Sequence, residues 1–93
     1  MTLSKLEKYL NILEVLTVKP LEFEIILYQV DENWKTVKKH LDFLIATDLV
    51  EKLPLDKKRI VYSVTEKGLA VLDALRGQEY SQQHDQLLLV YEE

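Results

Sequence analysis

The hydrophobic period of this chain changes twice, and those changes limit the folds open to it. In the first half, apolar residues recur at helical spacing. Leu6, Leu10 and Leu13 line one face of a first helix from about Ser4 to Leu16, and Tyr9, Ile12 and Leu16 widen it. From Leu49 to Leu55 the residues are alternating and partly β-branched. Arg59 to Val64 alternates cleanly, with Ile60, Tyr62 and Val64 on one face and Arg59, Val61 and Ser63 on the other. Asp56-Lys57-Lys58 lies between these runs and reads as a hairpin tip. After Thr65 the helical spacing returns, and Leu69, Leu72 and Leu75 are expected to face the core. One short hairpin set among helices predicts a mostly α fold.

The punctuation fixes the order of the elements. Ser4 and Glu7 form an S-x-x-E capping box. Pro20 permits a second helix just after it, from about Leu21 to Gln29, with Phe23, Ile26, Leu27 and Val30 apolar. Asp31 and Glu32 make a polar turn, and Asn33 stands where an N-cap is wanted. A third helix follows to about Thr47. Val37, Leu41, Leu44 and Ile45 fall on one face of it; Lys35, Lys38, Lys39 and Asp42 fall on the other. Pro54 marks its strand as irregular or an edge. Thr65 caps a fourth helix, with Glu66 placed well against the helix dipole. Gly77 either ends that helix or is passed through. Helix, helix, tight turn, helix, hairpin and helix is the arrangement of a winged helix-turn-helix.

Composition agrees with a single small domain. The chain has 93 residues, 47% of them hydrophobic, enough for a packed core, and it has no cysteine. No apolar run approaches a membrane span, and the N-terminus lacks a signal-peptide pattern, so a cytoplasmic protein is expected. Residues 1–32 carry three basic and six acidic side chains, net −3. Residues 33–59 carry seven basic and four acidic, net +3; residues 60–93 carry two and six, net −4. Positive charge is therefore confined to the middle of an acidic chain.

The strings YQVDENWKTVKKHLDFLIATDLVEK and YSVTEKGLAVLDAL resemble the small winged helix-turn-helix transcriptional regulators of archaea and their viruses. The most specific pieces are Trp34 to Ile45 and Thr65-Glu66-Lys67-Gly68. The resemblance implies a DNA-binding domain over residues 1–76, with the third helix for recognition and Asp56 to Arg59 as the wing tip. It also implies a homodimer, commonly joined through the last helix. Two positions depart from the family pattern. Glu32 stands where an apolar turn residue is usual, placing negative charge beside the proposed DNA face. Asp48 replaces the usual glycine after the third helix, which requires Asp in a left-handed or alternative cap.

Asn33, Lys35, Thr36, Lys38 and Lys39 on the third helix, with Lys57, Lys58 and Arg59 on the wing, are the candidate DNA-binding residues. Each has a plainer reading as solvated surface, and the co-occurrence of the two clusters favours DNA. Trp34, the only tryptophan, is expected in core or boundary packing, with a sugar–phosphate edge as the alternative. Residues 77–93 end in an abruptly apolar run. Leu75, Leu87, Leu88, Val90 and Tyr91 are the candidate dimer contacts; packing of the tail back on its own first helix is the alternative. His40 and His84 are far apart and have no cysteine partners, so no metal site is expected. No nucleophile–base set and no phosphate-cradling glycine loop can be assembled, so the protein is expected not to be an enzyme and to need no cofactor. No small-molecule effector is identifiable. The expected function is sequence-specific binding of double-stranded DNA as a homodimeric transcriptional regulator. A winged-helix module that binds another protein, without DNA, is the alternative.

Overall fold

The computed structural model describes residues 4–77. His84 and the expected dimer residues Leu87, Leu88, Val90 and Tyr91 lie outside the described residues. Three helices, α1 (Lys5–Val15), α2 (Phe23–Val30) and α3 (Trp34–Ala46), precede a hairpin of β1 (Val50–Pro54) and β2 (Ile60–Val64). A fourth helix, α4, covers residues 66–77, and Gly77 is the last of the described residues. This is the mostly α winged helix-turn-helix architecture expected from the sequence.

The core is built where the periodicity placed it. Leu10, Ile12 and Leu13 of α1, Leu16 at its C-cap, Ile26 of α2 and Val37, Leu41 and Leu44 of α3 are buried together with Leu21 and Val50. The helix starts follow the capping logic. Ser4 Oγ accepts the amide of Glu7 at 3.2 Å, and Asn33 Oδ1 accepts the amide of Thr36 at 2.9 Å.

Four expectations are corrected by tertiary pairing. First, α2 does not begin at Leu21. That residue exchanges both backbone hydrogen bonds with Tyr62 (3.0 and 2.8 Å), forming a one-residue third strand beside β2. Second, the buried residue of β2 is Val61, while on the opposite face Tyr62 and Val64 are half-buried and Ile60 is exposed; the groove between the wing and α2 brings Leu21, Ile25 and Leu55 around Val61. Third, of the α4 leucines only Leu72 packs on the core; Leu69 and Leu75 are exposed. Fourth, Trp34 is 55% exposed rather than packed under the turn. On a helical wheel it falls between Leu41 and Ile45, so its exposure comes from its place as the first residue of α3 and not from the helical period.

The position of Pro54 follows from the ladder. The amide and carbonyl of Tyr62 point to Leu21, so the paired Tyr62 and Lys52 exchange no bonds across the hairpin. Pro54 pairs with Ile60, two residues further along, in the same non-bonded phase. Its missing N–H would point away from β2, so β1 tolerates it at no cost to the hairpin.

The exit from α3 is a Schellman turn. The amide of Leu49 donates to Leu44 O at 2.8 Å and that of Asp48 to Ile45 O at 3.0 Å. Asp48 has φ 64°, the left-handed one of the two geometries open to it from the sequence; Asp31, at the end of α2, has φ 54°. Left-handed backbone disfavours any residue with a Cβ. Asp48→Gly is therefore expected to stabilise the fold by about 0.5–1 kcal/mol, read as a higher urea midpoint at unchanged m-value.

Candidate nucleic-acid interface

Lys35, Lys38 and Lys39 are exposed on α3, on the side away from Val37, Leu41 and Leu44. The buried face fixes the helix while the lysines remain in solvent. Lys38 reaches Asp42 at 3.9 Å, with both side chains more than half exposed; such a pair is weak and easily exchanged for a phosphate. Thr36 is half-buried. Asn33 is exposed, but its side-chain oxygen is occupied by the cap it makes on α3.

The wing tip is ordered by Asp56. Its Oδ1 accepts the amides of Lys58 and Arg59, each at 2.9 Å; its Oδ2 accepts Nε and Nη2 of Arg59, each at 2.8 Å. The backbone bond to Lys58 and the Arg59 guanidinium hold the Asp56 carboxyl below the usual carboxylate range. Lys57 and Lys58 thus project from a pre-formed turn, while the charge of Arg59 is matched within the wing. Lys52 on β1 is also exposed and adds to the positive wing, although the sequence motifs did not single it out.

Glu32 does not face outward. It is half-buried and pairs with Lys8 of α1 at 3.2 Å, so the negative charge feared at the DNA face is turned toward the domain interior. Beside this pair, a small cleft is lined by Asn11, Val30, Val37 and His40. His40 is only 6% exposed. Its ring meets Tyr9 edge-on at 4.9 Å, and Tyr9 stacks on Phe43 at 4.7 Å. Burial lowers the His40 pKa from its ordinary 6.5, and the positive charge of Lys8 lowers it further; Glu32 opposes them. His40 is thus neutral in the fold, while the unfolded chain takes up its proton first as pH falls. Stability is expected to be full above about pH 6.5 and to decline as pH drops from there through the lowered value. Urea midpoints between pH 5 and 8 should show this slope, and His40→Leu should flatten it. Among the described residues no group of His, Asp or Glu is arranged to hold a metal ion.

Sequence reasoning also missed Arg76. Its guanidinium contacts Glu14, donates to Asn11 Oδ1 at 2.7 Å and pairs with Glu7 at 3.1 Å, tying α4 to α1. Glu7, expected to complete the capping box, is used in this pairing. Nothing local to either segment signals a partner more than sixty positions away.

A winged helix-turn-helix family model matches residues 3–82, and the chain belongs to that family. No curated protein is similar enough in sequence to count as a match. Solved structures share the fold. A PadR family transcription regulator from Clostridium difficile R20291 superposes with TM-score 0.71 at 14% identity, covering 92% of this chain and 98% of its own. H. salinarum RosR gives 0.68 at 24% identity, covering 91% and 90%. Lactococcus lactis ZitR, solved in complex with DNA, gives 0.66 at 21% identity; the match covers 99% of this chain and 60% of ZitR. At these identities the likeness is one of fold. No helix among the described residues is long and apolar enough to cross a membrane.

Proposed function

We propose that this chain is a non-enzymatic transcriptional regulator that binds specific double-stranded DNA as a homodimer in the cytoplasm. The observation that carries the reading is the row of exposed lysines on α3, backed by Lys57 and Lys58 on an ordered wing, in a chain whose flanking thirds are net negative. In this reading α3 enters the major groove and the wing lysines hold flanking phosphates. ZitR, with the same fold, has been solved with DNA bound, and that supports the reading. Residues 1–76 are the DNA-binding part; residues 77–93 with exposed Leu75 form the dimer contact. A two-fold dimer would select half-sites about 34–36 Å apart or a multiple of that spacing.

The test is selection of bound duplexes from a random pool, followed by titration at several salt concentrations. About four phosphate contacts per protomer predict log K falling against log salt with a slope of about −7. Selected sites should show two-fold symmetry. Failure to bind any duplex at low salt would remove the DNA reading and leave protein binding as the function to pursue.

A further inference from the structure

We propose that Trp34 is the main reader of base identity on α3, through apolar contact with the 5-methyl group of a thymine; this rests on the DNA reading above. The outward groups in the first two turns of α3 are Trp34, Lys35, Lys38 and Lys39, with Thr36 half-buried. The helix contains no Arg, Asn or Gln, the residues that most often make paired hydrogen bonds to guanine or adenine edges. Asn33, just before it, has its side-chain oxygen committed to the amide of Thr36 at 2.9 Å. Lysine can reach guanine, but any phosphate satisfies it equally, so the lysines supply affinity more than discrimination.

Trp34 has a different chemistry. It is the one large apolar side chain among those outward groups, and its indole is 55% exposed to water in the free protein. Lys35 Nζ lies 5.9 Å from the centre of its ring, a loose cation–π arrangement. That places a cation next to an apolar surface. The indole can cover a methyl group while the ammonium reaches the adjacent phosphate. The thymine methyl is the only apolar group the major groove offers, so an apolar reader selects it over the other bases.

The experiment compares wild type, Trp34→Ala and Trp34→Phe on a selected duplex and on a mixed-sequence duplex, by anisotropy of a labelled DNA. Trp34→Ala should lower the specific-to-nonspecific affinity ratio by about tenfold or more, the lower end for losing burial of a large apolar side chain. The salt slope should be unchanged, because no charge is removed. Trp34→Phe should recover most of the ratio. Replacing thymine by uracil at one position of the selected duplex should weaken wild type about fourfold, the worth of one methyl group, and leave Trp34→Ala unaffected. Emission from this sole tryptophan should also change on binding wild type. An unchanged ratio in Trp34→Ala, or equal sensitivity of both proteins to uracil at every thymine, would overturn the proposal while leaving DNA binding standing. Wild type that binds no duplex would defeat the DNA reading, and this inference with it.

Discussion

Gly68→Ala is expected to destabilise the domain by about 2–3 kcal/mol, near the top of the range for forced overpacking. A Cβ at Gly68 would overlap the carbonyl oxygen of Leu49 and lie 2.7 Å from Val64 Cγ2. The carbonyl cannot simply move aside, because it accepts the amide of Thr65 at 3.1 Å. The amide of the same residue closes the Schellman turn on α3. The surrounding bonds join the same elements. Thr65 Oγ1 donates to Asp48 O at 2.7 Å and accepts the amide of Gly68 at 3.0 Å, and Lys67 Nζ donates to Thr47 O at 3.0 Å. Thr65-Glu66-Lys67-Gly68 is thus the weld between the end of α3, the start of β1 and the start of α4. Alanine favours helix over glycine by about 1 kcal/mol, too little to offset the clash. For a domain of this size the loss corresponds to a fall in Tm on the order of 10 °C or more. Gly77→Ala provides the contrast. Among the described residues the new methyl meets the side chain of Asp73, which can swing away, so stability should rise by up to about 1 kcal/mol. Urea unfolding followed by circular dichroism measures both; equal effects at the two glycines would contradict the packing argument.

The features legible in the sequence are those decided within a few residues. Ser4, Asn33 and Thr65 cap the helices they were expected to cap, because a side-chain oxygen and an amide two or three positions on suffice for the bond. The buried Val37–Leu41–Leu44 face and exposed Lys35–Lys38–Lys39 row follow from helical period alone. That Asp48 needs a special cap was likewise readable, since the helix had to stop where no glycine stood; that the cap is left-handed was one of two options the sequence left open. Most of the misreadings involve partners distant in sequence. Leu21 became a strand because Tyr62 offered both backbone groups; Glu32 turned inward because Lys8 lay on the facing helix; Leu69 and Leu75 stayed exposed because α4 touches the core through Leu72. Trp34 is a different case. The helical period sets it between Leu41 and Ile45 on the apolar side, and tryptophan tends to be buried, so neither signal revealed its exposure at the first position of α3.

Reversing charge at both Lys38 and Lys39 to glutamate is expected to lower DNA affinity by roughly 10³-fold or more at 0.1 M salt while leaving the fold and the dimer intact. Both side chains are exposed, and neither belongs to the buried cluster. The one ion pair lost, Lys38 with Asp42 at 3.9 Å, is solvent-screened and contributes little. A glutamate at Lys38 would face Asp42 one turn away, a like-charge contact that costs only a few tenths of a kcal/mol. Binding has no such reserve. Each phosphate contact contributes a slope of about −0.9, so it is worth about 0.9 log units of affinity at 0.1 M salt relative to 1 M. Losing two contacts per protomer removes about four from the dimer, which predicts a drop of roughly 10³-fold or more at 0.1 M salt before any repulsion is counted. The remaining slope should fall to about half the wild-type value. Lys38→Gln/Lys39→Gln isolates the neutralisation: it should show the same reduced slope with a smaller loss than the double reversal. The acidic flanks of the chain, net −3 and −4, explain the severity, because the positive charge that must replace the missing contacts is left to Lys35 and the wing. An undiminished salt slope in either double variant, with circular dichroism and oligomeric state unchanged, would move the DNA face off α3 altogether.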